Sequence, residues 1–421
     1  MISVKELVKI FGDNPKSVLP LLEQGKSKDD IRAETGHTVG VDRVSFTLEP
    51  GEFFVIMGLS GSGKSTLLRC INRLIEPTAG EVAIVQNGSS VSVSRADENE
   101  LRRIRRETIS MVFQRFGLLP HRRVRENVAY GLEVQGVPEA KRLDMSQKTL
   151  EMVGLGQWGD VYPSELSGGM QQRVGLARAL ATEAPVLLMD EPFSALDPLI
   201  KVNMQNELIK LEKQLGRTVL FITHDLDEAL KLGHRIGIME GGRMVQLGTP
   251  EEIIVNPKTE YVADFVEHAD PTGVITGGTV AVPLTGAQIS RVEERGDVTY
   301  YAHQGRPHVH FGVADGGMFK EVRFEGRPVT LRRLYEVLDS PPTEVREADM
   351  ALVCPPSCNL RQLLQGRTRS GLPSFMVDEA GRFHGVVTEQ DLIQGILAKR
   401  GYEAAPSADS LNAAPVAQKG N

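Results

Sequence analysis

The chain has 421 residues, 41% hydrophobic and 24% charged, with 48 Lys and Arg against 55 Asp and Glu and a formal charge of −7. This is the balance of an ordinary globular protein of two or three domains. It excludes a collagen-like or wholly disordered chain, and the acidic excess has the wrong sign for holding nucleic acid by charge alone. Three cysteines supply no disulfide framework and fit a reducing cytosol. Cys354 and Cys358, in CPPSC, read as two unrelated thiols. The opening MISVKELVKIFGDNPK lacks the basic head and apolar stretch of a signal peptide. The longest apolar runs, such as FFVIMGL (53–59), have the length of a strand, well short of the ~20 residues of a membrane span. A soluble chain of the cytoplasm is the expectation.

Taken in order, residues 1–270 alternate strand and helix signals, which predicts an α/β unit with a largely parallel sheet. A polar stretch, 13–40, follows Phe11-Gly12; its Ser27 with Asp30 three residues on is a helix-capping pattern and predicts a small helical insertion. EFFVIM (52–57), PVLLMD (185–190) and TVLFIT (218–223) are nearly continuous apolar runs, the mark of strands buried on both faces. The first two end at polar clusters, where open α/β sheets place ligands. Residues 98–180 are charged and mostly helical in pattern; RRIRR (102–106) and HRR (121–123) read as solvated helix faces, having no interleaved aromatics for nucleic acid. From Arg235, IGIME, a Gly241-Gly242 turn and RMVQLG make a second strand group. Near residue 271 the composition shifts to Gly, Pro, Arg and Val, which sets a boundary: a second domain over 271–400, then an Ala/Pro/Ser-rich tail, 401–421, expected to be disordered.

The chemistry concentrates at the strand ends. GLSGSGKST (58–66) follows the first strand and opens TLLRCINRLI, whose Leu67, Leu68, Ile71 and Leu74 fall on one helical face. This is G-x-x-x-x-G-K-S in its strand–loop–helix setting. Gly58, Gly61 and Gly63 let the backbone turn its N–H groups toward a triphosphate, with Ser60, Ser62 and Thr66 in the same cradle. Lys64 would neutralise the β- and γ-phosphates, Ser65 would offer its hydroxyl to Mg²⁺, and the helix start adds its positive end. In VLLMDEP (186–192), Asp190 ends a strand and is placed to hold Mg²⁺ through its water shell; Glu191 is placed to polarise the attacking water. His224, in LFITHDLDEAL, ends a third strand and is the candidate γ-phosphate contact.

With LSGGMQQRVGLARALA (166–181) added, these segments resemble the ATP-binding cassette (ABC) ATPases. The resemblance implies a P-loop α/β fold, a mixed sheet core plus a helical subdomain. It implies that Ser167, Gly168 and Gly169, at a helix start, close on ATP held by a second copy in a head-to-tail dimer. It further implies that Gln114 in MVFQ senses nucleotide and Mg²⁺ against a permease, that Asp197 in SALD is a dimer contact, and that Phe11 stacks on adenine. All the motifs are intact, so a homodimer with two working sites is expected. Within the family, the 13–40 insertion, NRLIEPTAG, FSALDPLI and HDLDEAL are similar to the ATP-binding subunit of glycine betaine/proline betaine (quaternary amine) importers, over roughly residues 1–270. That implies ATP hydrolysis energising amine import in osmoprotection, with choline, carnitine or proline as alternative cargo. It also implies membrane permease and extracytoplasmic binding-protein partners, and a place on the cytoplasmic face of the membrane.

Further on, SFMVDEAGRFHGVVTEQDLIQGIL (374–397) reads as strand, turn, strand, helix and resembles the second half of a CBS module, an α+β regulatory unit. Thr388 and Asp391 match the T-x-x-D positions that hold a ribose and phosphate in nucleotide-binding examples. Asp391 is equally explained as a favourable charge at a helix start. The preceding half, 272–345, lacks both the turn and the T-x-x-D ending and reads as a degenerate first module. His303, His308 and His310 cluster there without the acid or Cys that would complete a metal set.

Overall fold

Apolar runs without a polar break have to be covered on both faces, and a parallel sheet flanked by helices is how the chain covers them. The computed structural model describes residues 1–86, 89–114, 117–340 and 349–397; the 401–421 tail lies outside the described residues. The chain divides into two compact units, Met1–Ile253 with Pro257–Phe265, and Ile254–Asn256 with the chain from Val266.

In the first unit the strands run β1 (Ile2–Phe11), β2 (Thr38–Leu48), β3 (Phe53–Met57), β4 (Ala79–Gln86), β5 (Ser89–Ser92), β6 (Ile109–Val112), β7 (Val186–Asp190), β8 (Thr218–Thr223), β9 (Arg235–Glu240) and β10 (Arg243–Gly248). A six-stranded sheet takes the order β10-β9-β3-β8-β7-β6, parallel except for the hairpin strand β10. A four-stranded antiparallel sheet takes the order β2-β1-β4-β5. Every residue of β3, β7 and β8 is buried, as their uninterrupted apolar sequence requires. Their register pairs Met57 with Thr223 and Asp190 with Ile222, so the three strands end at one edge of the sheet. The loop after β3, the acids after β7 and the histidine after β8 therefore emerge side by side.

Between β1 and β2 the chain forms short helices, Pro15–Val18, Leu19–Glu23 and Lys28–Thr35. Ser27 caps the last of these by accepting from Asp30 N at 3.1 Å, and Val18, Leu22 and Ile31 pack on Val8 and Ile10 of β1. The helices Val124–Val134, Glu139–Met152 and Gly168–Ala181 pack on one another as a helical subdomain. One expected helical face is shorter than its sequence pattern. The helix after the glycine loop is Lys64–Ile71, with Leu67, Leu68 and Ile71 buried, but Leu74 is 46% exposed. Asn72 caps the helix and Arg73 turns left-handed at φ 54°, which carries Leu74 off the buried face.

The second unit has two sheets. Strands β11 (Ile289–Arg295), β12 (Val298–His303), β13 (Arg306–Ala314), β14 (Met318–Phe324) and β15 (Arg327–Pro328) form an antiparallel meander in chain order. Most of the segment read as a degenerate module thus runs as hairpins. Strands β16 (Thr330–Arg333), β17 (Met350–Cys354), β18 (Ser374–Val377) and β19 (Phe383–Val387) follow, the first three parallel and the last antiparallel. Helix Leu360–Arg367 joins β17 to β18, and helix Glu389–Leu397 follows β19, giving strand–helix–strand–strand–helix. Among the described residues no helix is long and apolar enough to cross a membrane.

Candidate nucleotide site

The glycine loop wraps the start of helix Lys64–Ile71. Gly58, Gly61 and Gly63 all take positive φ, at 149°, 82° and 100°, where L side chains are disfavoured. Lys64, 5% exposed, donates from Nζ to Gly58 O at 2.8 Å and Leu59 O at 3.0 Å, which holds the ammonium over the loop. Burial pushes its pKa down, against the pull of Glu191 and Asp190. Phosphate oxygens can take over the bonds that the two carbonyls accept, and they bring further negative charge to this buried ammonium.

Asp190, fully buried at the end of β7, accepts from Ser65 Oγ at 2.7 Å and from Arg69 at 3.2 Å. A hydroxyl and a carboxylate meeting at one point are hard oxygen donors, the set Mg²⁺ takes alongside phosphate and water. Gln114 is placed elsewhere: its Nε2 lies 3.3 Å from Glu191 Oε2. His224 Nδ1 is 3.4 Å from the same Glu191 oxygen. Glu191, Gln114 and His224, from three separate strand ends, thus share one carboxylate beside the Ser65–Asp190 pair.

The chain around His224 is braced on both sides. Lys201 Nζ lies 2.7 Å from Asp225 Oδ2 and 2.7 Å from Glu228 Oε1, while Thr223 donates to Glu228 at 2.5 Å and Asp225 N donates to Thr223 Oγ1 at 3.0 Å. Burial opposes charge on both Lys201 and Asp225, yet their mutual bond holds the ammonium above and the carboxyl below their ordinary values. Lys201→Met leaves the 4% exposed Glu228 without its cation. Because Lys201 is itself partly exposed, the expected loss of stability is on the order of 2 kcal/mol, read by thermal denaturation, with slower ATP turnover as the His224 flanks loosen. The wild-type advantage is full between the ordinary pKa values of the two groups. It is lost as pH falls through the lowered pKa of Asp225 or rises through the raised pKa of Lys201.

Ser167 caps helix Gly168–Ala181, its Oγ accepting from Met170 N at 3.4 Å, so the Ser167–Gly168–Gly169 start has the form of an anion site. Asp197 is the residue before helix Pro198–Leu215. Phe11 is 39% exposed under the Lys9 ammonium, and a Cβ at Gly40 would stand 2.8 Å from its ring and 3.2 Å from the Thr66 methyl carbon. The ring and the start of the loop helix thus both border Gly40, which leaves a partly exposed aromatic face near the loop on which a base could stack.

Two residues that brace the candidate site escaped sequence reasoning. Arg69 stands four residues after Ser65, on the same helical face, and that spacing was a usable signal. Tyr261 left no such signal: its hydroxyl accepts from Leu59 N at 3.2 Å and donates to Met239 O at 3.3 Å, across a separation of 202 residues in the first bond. The basic clusters are largely used internally: Arg105 donates to Asn72 O and Arg73 O, and Arg122 pairs with Glu133, while Arg102 and Arg103 are exposed opposite buried Leu101 and Ile104.

In the second unit, Thr388 and Asp391 bond to each other. Thr388 donates from N at 2.7 Å and from Oγ1 at 2.6 Å to Asp391 Oδ2, a closed cap on helix Glu389–Leu397. His303 faces Asp391 at 4.0 Å and accepts from Gly305 N through Nδ1. Among the described residues no group of three His, Cys, Asp or Glu could hold a metal. Cys354 and Cys358 are neighbours rather than strangers: Cys358 N donates to Pro355 O at 3.0 Å in the turn between them, and both are buried free thiols close enough to influence each other. Burial first, and Cys358 second, push the Cys354 thiol up.

A glycine loop on a buried lysine, a strand-end Asp-Glu pair, a strand-end histidine and a capped Ser-Gly-Gly helix on one parallel sheet define a P-loop ATPase of the ATP-binding cassette class. Comparison with known proteins agrees. Residues 41–194 match the ABC transporter family model. The chain is 41% identical to the glycine betaine transport ATP-binding protein OpuAA of Bacillus subtilis, over 99% of this chain and 97% of that one. It is 40% identical to the glycine betaine/proline betaine transport system ATP-binding protein ProV of Salmonella typhimurium, over 94% and 97%. Among solved structures, the dimeric post-hydrolysis state of the ATP-binding cassette MJ0796 bound to ADP and phosphate is 32% identical, with a TM-score of 0.52, over 59% of this chain and 99% of that one. The chain belongs to the ABC transporter family, as one of its ATP-binding subunits.

Proposed function

We propose that two copies of this chain form the ATP-hydrolysing engine of an importer for glycine betaine, proline betaine or a related quaternary amine, serving osmoprotection. The observation that carries the reading is the end-to-end likeness to a glycine betaine transport ATP-binding protein, over 99% of the chain and not over the cassette alone. Choline, carnitine and proline are the alternative cargoes. In the assembly, the copies sit on the cytoplasmic face of the membrane, docked on permease subunits, and an extracytoplasmic binding protein delivers the amine.

The residues divide the work. Phe11 stacks on adenine. The amides and hydroxyls of Gly58, Ser60, Gly61, Ser62, Gly63, Ser65 and Thr66 cradle the phosphates, and Lys64 turns from its own carbonyls to the β- and γ-oxygens. Ser65 and Asp190, with Gln114 swung from Glu191, would hold Mg²⁺, which when bound neutralises phosphate charge. Ser167, Gly168 and Gly169 of the opposite copy close over the γ-phosphate, and Asp197 lines the contact between copies. Glu191 orients and polarises a water for in-line attack on the γ-phosphorus; the bond to the β-phosphate oxygen breaks and leaves ADP and phosphate. His224, braced by Lys201, Asp225 and Glu228, donates to the γ-phosphate as charge develops. Closure on ATP turns the permease inward, and hydrolysis resets it.

The strand–helix–strand–strand–helix order after Asp349 supports a CBS-like regulatory domain over 271–400. Thr388 and Asp391 are its candidate ligand residues, once their mutual bonds are exchanged for those of a nucleotide. The test is uptake of labelled betaine, choline, carnitine and proline by the assembled transporter at low and high osmolarity. ATP-dependent betaine uptake that rises with osmolarity is expected. Failure with every quaternary amine overturns the cargo.

A further inference from the structure

Glu191 is held in an unusual backbone conformation. Its φ is 49°, in the left-handed region that an L side chain resists, and it persists because its neighbours over-determine it. Glu191 N donates to Ile222 O at 3.1 Å, on the neighbouring strand. Its carbonyl accepts from Ser194 N at 3.4 Å and from Ser194 Oγ at 3.1 Å, within the turn that follows. The remaining bond comes from another element: Gln172 Nε2, on helix Gly168–Ala181, donates to the same carbonyl at 3.4 Å.

Gln172 uses both ends of its amide. While Nε2 reaches Glu191, Oε1 accepts from Ala195 N at 3.2 Å, so one side chain grips both ends of the turn from Glu191 to Ala195. It is 2% exposed. The helix meets that turn directly as well. A Cβ added at Gly169, three residues before Gln172 and on the same helical face, would stand 3.3 Å from Ala195 O and 3.4 Å from Leu196 Cδ2. A short rigid piece of helix thus carries Ser167 at one end and the grip on Glu191 one turn later.

We propose that Gln172 is a positioning residue that ties the Ser167–Gly169 helix start to the Glu191 of its own chain, so that nucleotide arriving at the one sets the backbone of the other. The inter-copy part rests on the dimer proposed above. Movement of the helix start onto the opposite copy's γ-phosphate draws Gln172 with it, and Gln172 draws Glu191 and Ala195. Each copy then aligns its water-polarising carboxylate only when its signature helix has found ATP across the interface.

The experiment uses the full-length chain with two substitutions. Gln172→Glu keeps the shape and the acceptor for Ala195 N but sets an oxygen against the Glu191 carbonyl. Gln172→Met keeps the approximate volume, discards both bonds and serves where the charged variant fails to fold. Steady-state ATP hydrolysis, equilibrium binding of labelled ATP and thermal denaturation are measured side by side. The expected result is a kcat lowered by about tenfold or more, with ATP affinity kept within about threefold and a Hill coefficient for ATP that drops toward that of independent sites. A kcat within about twofold of wild type overturns the proposal, as does a kcat loss matched by an equal loss of ATP affinity or of folded protein. Wild-type chain that binds ATP without hydrolysing it overturns the proposal and the engine reading together, whereas normal wild-type hydrolysis with insensitive variants overturns this proposal alone.

Discussion

Glu191→Gln is expected to lower ATP turnover by about 10²- to 10⁴-fold while ATP still binds. The amide matches the carboxylate in size, so the left-handed backbone at φ 49° and the approach of Gln114 and His224 are kept. What disappears is the anion that polarises water. Lys64, Ser65 and the loop amides are untouched, so nucleotide affinity stays near wild type. Copies that load ATP without consuming it accumulate as closed dimers, which sedimentation in the presence of ATP would register alongside the turnover assay. Turnover near that of wild type would remove Glu191 from its role and leave the γ-phosphate contacts as the whole of the catalysis.

Gly63→Ala is the second large effect. A Cβ at residue 63 would stand 2.2 Å from Gly40 O, a backbone atom, at a φ of 100°. The strain of that conformation and the collision add to about 2–5 kcal/mol. The loop has to move to relieve them, and ATP affinity is expected to fall by about two orders of magnitude or more, since each 1.4 kcal/mol is tenfold. Gly61→Ala is the internal control: its φ of 82° is strained, but nothing lies within 4 Å of the added carbon. Its cost is about 1–2 kcal/mol from conformation alone. Thermal denaturation and ATP binding on both variants separate the collision from the strain; equal behaviour of the two would show that Gly40 does not confine the loop.

Much of the site was legible because its parts are contiguous. The glycine loop between a buried strand and an amphipathic helix, the Asp190-Glu191 pair on β7 and His224 on β8 each announce themselves within a few residues. The likeness of 166–181 to a signature helix needed no knowledge of its surroundings. Misreadings arose where the local pattern continued past the structure it described. Leu74 keeps the helical period of Leu67, Leu68 and Ile71, yet the helix ends at Ile71 and Arg73 turns left-handed. Cys354 and Cys358 carry no motif, but the Pro355-to-Cys358 turn brings the thiols together. Over 289–328 the apolar pattern was real, but the hairpin pairing that organises it into a meander is a choice of partners, which a pattern does not encode.

The amino-acid sequence by itself determined the chemistry on offer, because backbone turns, helix starts and strand ends are governed by neighbours in the chain. Only the tertiary structure decided how those parts bear on one another. The order β9-β3-β8-β7 sets three strand ends side by side; Arg69 reaches Asp190, Gln172 grips Glu191 and Ala195, and Tyr261 takes the amide of Leu59. Those contacts span 19 to 202 residues of chain. At such separations the partner is selected by strand register and by the packing of a shared core, which depend on the whole chain at once.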